Sequence, residues 1–163
     1  MSDYEVDTIV IGAGTVGLAI AEILSRFGSE VIVIEKEDNF GKITSSRNSG
    51  VIHAGIYYPK NSFKSKFCVL GNRLLYDYCK KNFIPYLNTK KLLVATSLDQ
   101  IKIIDQIKNQ AEKNGVENIK KISKTEVSNL EPLIYCKEAL LVPSSGIVDV
   151  VSQVYVCSFG RWI

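Results

Sequence analysis

A glycine motif, G-x-G-x-x-G over residues 12–17, constrains this chain more than any other feature. The β-branched, apolar residues 6–11 precede it, and residues 15–27 have the pattern of a helix. A second β-branched run over residues 31–34 follows. A strand, a glycine turn, a helix and a second strand in this order predict a βαβ unit with parallel strands. The run over residues 6–11 has the pattern of a strand buried on both faces of the sheet.

The three glycines suit the binding of a dinucleotide. Gly12 permits a tight turn, Gly14 lets the backbone approach a pyrophosphate, and Gly17 lets helix and strand pack closely. The amino terminus of the following helix presents N–H groups and a positive dipole end to phosphates. Glu35 ends the second strand, where a carboxylate accepts hydrogen bonds from ribose hydroxyls and repels the 2′-phosphate of NADP. The motif by itself does not distinguish FAD from NAD as the bound dinucleotide.

Beyond this unit, the patterns predict further helices and strands in a mixed α/β chain. Residues 41–59, rich in Ser, Gly, Asn and Tyr, form a long loop with one helical turn. Apolar residues at helical spacing, with lysines and arginines on the other face, predict an amphipathic helix over residues 63–80. The later elements are a strand over 91–96, a helix ending at Asn114-Gly115, a strand over 116–122, a short helix begun by the capping box at Ser123, and a strand over 139–142.

Composition excludes several classes of function. The formal net charge of +3 is too small to indicate a nucleic-acid partner. The sequence contains four cysteines, none of them in a C-x-x-C pair, and one histidine. Their spacing is not that of a zinc site, so no metal site is predicted. The cysteines, an acidic start unlike a signal peptide and the lack of a long apolar run predict a cytoplasmic protein.

A second motif, TSSRNSGVIHAGIYY over residues 44–58, carries more specific information. Ser45 and Ser46 offer hydroxyls to phosphate or ribityl oxygens, and Gly50 and Gly55 let the backbone come close to a ring. This stretch resembles the flavin-contacting loop of the L-2-hydroxyglutarate dehydrogenase/oxidase family, in the D-amino-acid-oxidase-like superfamily. The residues K-x-K-F-C-V-x-G-N-x-L-L-Y from 64, Glu131-Pro132 and VPSSGIVD from 142 also resemble that family, so the resemblance covers residues 3–149.

The resemblance implies noncovalent FAD, oxidation of a small 2-hydroxy acid to a 2-oxo acid, and a quinone or oxygen as electron acceptor. It implies at most peripheral contact with the inner face of a membrane. The substrate expected first is L-2-hydroxyglutarate. The alternatives are a related enzyme oxidising glycerol 3-phosphate or an amino acid, and a non-catalytic dinucleotide-binding remnant. By position, the expected FAD contacts are Gly12, Gly14, Thr15, Val16, Gly17, Glu35, Lys36, Ser45, Ser46 and Arg47.

His53 is the candidate catalytic residue, near the isoalloxazine by resemblance. An imidazole titrates near neutral pH, so it is suited to take the substrate's hydroxyl proton. The alternative is that His53 only positions the loop or the flavin through a hydrogen bond.

The end of the sequence departs from the family. We expect a Rossmann-like FAD-binding start over residues 1–82, part of an α+β substrate domain over 83–149 and a tail unlike the family over 150–163. The tail does not have the pattern of a helix. We expect it either to form a buried strand over residues 151–159 or to be the product of a frameshift. Because members of the family are considerably longer, the chain is expected to be truncated and inactive.

Overall fold

The computed structural model describes residues 5–158. These residues form two compact units, the first drawn from residues up to Gly50, Cys79–Pro85 and residues from Val148 onward, the second from Val51–Tyr78 and Tyr86–Ile147. The helices are α1 (Thr15–Arg26), α2 (Phe63–Lys81), α3 (Leu98–Lys113), α4 (Lys124–Leu130) and α5 (Val150–Ser158), with a short 3-10 helix at Thr44–Ser46. The strands are β1 (Thr8–Ile11), β2 (Val31–Ile34), β3 (Val51–Ile52), β4 (Tyr86–Leu87), β5 (Lys91–Ala95), β6 (Lys120–Ser123), β7 (Glu138–Val142) and β8 (Gly146–Val148).

The βαβ unit is confirmed in the first unit of the chain. β1 and β2 pair in parallel from Thr8 opposite Val31 to Ile11 opposite Ile34, and α1 connects them. Gly28 follows α1 with a φ of 88°, a conformation that costs glycine little. The fold is therefore α/β, as the sequence predicts.

The expectation that β1 is buried on both faces is wrong for the described residues. Ile9 and Ile11 are 54% and 86% exposed, and Ile32 and Ile34 of β2 are exposed on the same pleat. Side chains in a strand alternate between faces, so one whole face of this two-stranded sheet is uncovered. The helix α1 contributes buried Leu18 and Ala21 to this unit.

The tail also differs from its prediction. Residues 150–158 form the helix α5 rather than the expected strand, while Phe159 lies outside the described residues. Asp149 caps the helix: its Oδ1 accepts the N–H groups of Val151 and Ser152 at 3.1 and 3.2 Å. Val154 and Cys157, one turn apart, are buried. The cap and this burial outweigh the strand preference of a valine-rich sequence.

The second unit contains the larger core. In the sheet ordered β5-β7-β6, β7 pairs antiparallel with both neighbours. Leu140 and Val142 pack in one cluster with Ile104 and Ala111 of α3, whereas Ala139 and Leu141 pack in another with Val127 of α4. The central strand is therefore buried on both faces. The capping box at Ser123 is confirmed, with Glu126 as its partner.

Two predictions for the second unit need correction. The strand expected over residues 116–122 begins only at Lys120, because Asn118 takes a φ of 58°, outside the extended region. The short strands β3, β4 and β8, which form the sheet ordered β3-β8-β4, were not expected from the sequence. β3 lies within the predicted long loop and pairs with β8, Val51 opposite Ile147 and Ile52 opposite Gly146.

The helix α2 is confirmed, but its apolar stripe faces solvent in the described residues. Phe63, Phe67, Leu70 and Leu74 are all exposed, and the rings of Phe63 and Phe67 stack with centroids 5.9 Å apart. The buried positions of this helix are instead Ser65, Asn72 and Cys79. No helix among residues 5–158 is long and apolar enough to cross a membrane.

Candidate functional site

The glycine turn is built as the motif predicts. Gly12 has a φ of 102°, and its N–H donates to the carbonyl of Ile34 at 2.7 Å. A Cβ on Gly17 would lie 2.0 Å from the carbonyl oxygen of Gly12, so the turn closes onto the first residues of α1 only because residue 17 lacks a side chain. The sequence thus sets a close approach between the turn and the helix.

The amino terminus of α1 is left open to an anion. Gly14 is its N-cap and offers no side chain, and the first turn contains no acidic residue. The N–H of Thr15 donates to the hydroxyl oxygen of Ser45 at 2.9 Å, which brings the second motif against the first. A Cβ on Gly14 would lie 3.1 Å from the same hydroxyl. A helix amino terminus whose N-cap is a glycine, without a capping side chain or an acidic residue, is a cradle that suits the binding of a phosphate.

Glu35 is fixed beside this cradle by the main chain. Its Oε2 accepts the N–H of Ala13 at 2.7 Å, and its Oε1 accepts those of Lys36 and Glu37 at 2.9 and 3.0 Å. The N–H groups of Glu37 and then Ala13 hold the pKa of the carboxyl below its ordinary value. A carboxylate has about four acceptor positions, so one remains for a ribose hydroxyl.

A cavity of about 540 Å³ opens beside Glu35. Ala13, Leu18, Val33 and Phe40 line it together with Tyr155 of α5. The rings of Phe40 and Tyr155 lie 6.3 Å apart between centroids. The polar residues of its lining are Glu35, Glu37, Asp38, Asn39 and Ser158. An apolar and aromatic wall together with the fixed carboxylate of Glu35 matches the chemistry of an adenosine, which has a flat ring and a polar ribose.

Several predicted cofactor residues are placed differently. The hydroxyl of Ser46 donates to the carbonyls of Lys42 and Ile43 and so stabilises its own turn. The side chains of Val16, Lys36 and Arg47 are exposed, and Lys36 pairs with Glu37 at 3.6 Å. The main chain of Val16 lies in the first turn of α1, so the predicted residues that the structure brings together are Gly12, Gly14, Thr15, Val16, Gly17, Glu35 and Ser45.

Several residues at this site were not predicted, among them Ala13, Phe40 and Tyr155. All three line the cavity, and the N–H of Ala13 holds Glu35. Ala13 lies inside the glycine motif, so its N–H could have been predicted from the sequence as a backbone donor at this site. Phe40 and Tyr155 lack any such signal, because the sequence gives no pattern that pairs them.

His53 lies in the second unit, directly after β3. The residue is exposed, and its pKa is lowered by partial desolvation of the imidazole and then by the charge of Lys91. A neutral imidazole at neutral pH is a competent proton acceptor. The described residues contain no cluster of His, Cys, Asp and Glu able to hold a metal ion.

Fold and site together define a dinucleotide-binding α/β protein, and comparison with known proteins identifies the family. The DAO family model, described as FAD dependent oxidoreductase, matches residues 7–153. The chain therefore belongs to the DAO family of FAD-dependent oxidoreductases. A solved structure, the L-alpha-glycerophosphate oxidase from Mycoplasma pneumoniae with FAD bound, superposes with a TM-score of 0.88 at 27% identity, over 96% of this chain and 42% of that one.

Within the family, the similarity to L-2-hydroxyglutarate dehydrogenases is high. The chain is 49% identical over 144 residues to the mitochondrial L-2-hydroxyglutarate dehydrogenase of Arabidopsis thaliana, covering 88% of this chain and 30% of that protein. The corresponding enzyme of Homo sapiens is 37% identical over 147 residues, covering 88% and 31%. The chain thus spans about a third of the length of these relatives.

Proposed function

We propose that this chain binds FAD through its ADP half, with the pyrophosphate at the amino terminus of α1. The observation that carries this proposal is the bridge from Glu35 to the N–H of Ala13, which fixes a carboxylate beside the open glycine cradle. The adenosine ring occupies the cavity beside Phe40, and the remaining acceptor position of Glu35 receives a ribose hydroxyl. Ser45 keeps the cradle in place through Thr15.

We further propose that the protein oxidises a small 2-hydroxy acid, with L-2-hydroxyglutarate as the substrate expected first. FAD, when bound, accepts a hydride from the carbon that bears the hydroxyl. His53 takes the proton of that hydroxyl, since its lowered pKa leaves an imidazole nitrogen free to accept it at neutral pH. Identities of 37–49% to L-2-hydroxyglutarate dehydrogenases support this substrate class.

A second candidate substrate is glycerol 3-phosphate. The TM-score of 0.88 with an L-alpha-glycerophosphate oxidase favours it, although the sequence identity of 27% is lower than that to the 2-hydroxy acid enzymes. The two candidates differ in the group that must be bound, a second carboxylate or a phosphate. A substrate panel therefore separates them.

The same proposal includes a quinone or oxygen as the electron acceptor and a cytoplasmic location with at most peripheral membrane contact. The four free thiols among the described residues support a reducing compartment. Fractionation of cells that express the protein, followed by washing of the membranes with salt, tests the location. Protein that stays with salt-washed membranes contradicts it.

The proposal is tested by the visible spectrum and by turnover. The gene is sequenced beyond codon 163 in all three frames, and the longest product is purified beside the 163-residue chain. We expect flavin absorption in the longer product and dye-linked oxidation of L-2-hydroxyglutarate in preference to D-2-hydroxyglutarate and glycerol 3-phosphate. Because this chain spans about a third of its relatives, we expect no useful turnover from it alone. A colourless longer product that binds NADH tightly would overturn the cofactor assignment.

A further inference from the structure

One face of α2 is directed at the main chain around His53. Cys68, Asn72 and Tyr76 follow one another at intervals of four residues and so lie on the same side of the helix. The Nδ2 of Asn72 donates to the carbonyl of His53 at 3.1 Å and to that of Ser144 at 2.9 Å. One amide nitrogen thus ties the segment after β3 to the segment before β8.

The neighbouring contacts make this arrangement tight. A Cβ on Gly55 would lie 2.9 Å from Val69, and one on Gly146 would lie 2.2 Å from the hydroxyl of Tyr76. Asn72 itself is 6% exposed, so its donors are shielded from water. The helix therefore packs closely against both segments, with little room for another side-chain arrangement.

The amide of an asparagine suits the two carbonyls at this site. Its amide nitrogen carries two N–H donors, one for each carbonyl, whereas a serine carries one and an ionised aspartate carries none. The hydroxyl of Tyr76 donates to the carbonyl of Ser144 at 3.1 Å, and the thiol of Cys68 lies 3.5 Å from the carbonyl of His53. A thiol is a weak donor, so Asn72 is the strong donor to His53 in this group.

We infer that Asn72 is a positioning residue for His53: by holding the carbonyls of His53 and Ser144, it sets the place and the surroundings of the imidazole. This inference rests on the proposed function, in which His53 acts on the substrate hydroxyl. It extends that function by naming the residue that keeps the proton acceptor in one conformation. Asn114 and Gln110 hold the far end of the same segment, at the carbonyls of Gly55 and Tyr58.

The imidazole of His53 reports directly on this role. His53 is the only histidine in the chain, so every imidazole resonance in an NMR spectrum belongs to it. The groups that act on its pKa are the surrounding protein atoms, which desolvate the ring, and Lys91 on β5. Release of the main chain at His53 admits water to the ring and moves its pKa upward, toward the ordinary value of histidine.

The test compares Asn72→Leu with Tyr76→Phe in the full 163-residue chain. The first removes both donors of Asn72 without adding a charge. The second removes the hydroxyl that donates to Ser144 and keeps the edge contact of the ring with Tyr86. We expect Asn72→Leu to raise the pKa of His53 and to broaden or split its resonances. Tyr76→Phe should leave the pKa of His53 unchanged even if it lowers the melting temperature.

Two outcomes overturn the inference: a folded Asn72→Leu variant whose His53 titrates as in the wild type, or a Tyr76→Phe variant that shifts His53 equally. If Asn72→Leu does not fold, Asn72→Ser, which keeps one donor, should give a smaller rise, and a wild-type titration in that variant refutes the role. FAD affinity is measured separately. A wild-type chain that does not bind FAD, together with an Asn72→Leu variant that raises the pKa of His53, refutes the proposed function and leaves the positioning role standing.

Discussion

Replacement of Gly17 by alanine tests the close approach on which the glycine turn depends. The added methyl group would lie 2.0 Å from the carbonyl oxygen of Gly12 and 3.4 Å from Val10, whereas ordinary contacts begin near 3.4 Å. The obstacle is backbone rather than a mobile side chain, so the turn and α1 must separate by more than an ångström. Such overpacking costs about 1–3 kcal/mol, and a backbone obstacle places Gly17→Ala at the upper end.

The matched control is Gly71→Ala in α2. Gly71 is also a helical glycine, but a Cβ there meets nothing within 4 Å. Alanine is favoured over glycine inside a helix by about 0.5–1 kcal/mol, so this variant should be the more stable one. The same chemical change is thus predicted to act with opposite signs at two positions.

Thermal unfolding followed by circular dichroism measures both changes. For a chain of this size, 1 kcal/mol corresponds to about 2–4 °C in Tm, so Gly17→Ala should lower Tm by about 4–12 °C while Gly71→Ala raises it by a few degrees. Gly17→Ala should also weaken the binding of ADP. A Gly17→Ala chain that melts at or above the wild-type temperature would refute the close approach.

The remaining predictions concern the cofactor cradle. Gly14→Val should abolish FAD binding, because the branched side chain occupies the space of the pyrophosphate. The φ of −81° is ordinary, but a Cβ would lie 3.1 Å from the hydroxyl of Ser45, so a small fall in melting temperature is also expected. Calorimetry and a melt of the same sample check this, and tight FAD binding by the variant contradicts it. Glu35→Gln should weaken ADP binding several-fold, since it removes the charge that assists the ribose hydrogen bond, and an unchanged affinity contradicts that role. Because the N–H groups of Glu37 and Ala13 lower the pKa of Glu35, the carboxylate stays charged at neutral pH. FAD, whose pyrophosphate has no ionisation near neutral pH, should therefore bind with constant affinity down to about pH 6 and more weakly only in acid, and a loss near neutral pH contradicts the assignment.

The sequence predicts the cofactor side of the fold well, because that side depends on local rules. Gly12, Gly17 and Glu35 are placed by the requirements of one turn and one strand end, and the structure has them in those positions. The later capping box at Ser123 is a similarly local signal. Such motifs are recognised from residues close together in the sequence, so they can be predicted without knowing which distant residues pack against them.

Features that depend on tertiary packing were missed. The valines of α5 favour a strand, but the cap by Asp149 and the burial of Val154 and Cys157 make the segment a helix. Asp149, a residue type that is favoured as a helix N-cap, could have predicted where that helix starts. The role of Asn72 could not be predicted from the sequence, because a polar residue on α2 gives the same pattern whether it faces solvent or donates to two carbonyls.

The central claim, that the chain holds FAD by its ADP half, is tested most directly by competition in a calorimetric titration. FAD is titrated into the 163-residue chain alone, then in the presence of ADP, and FMN is titrated in parallel. The cradle at α1 and the cavity beside Glu35 contact only the ADP half in this account, so FAD should bind, ADP should displace it, and FMN should not bind. Binding of FMN as tight as that of FAD, with no competition by ADP, would contradict the account.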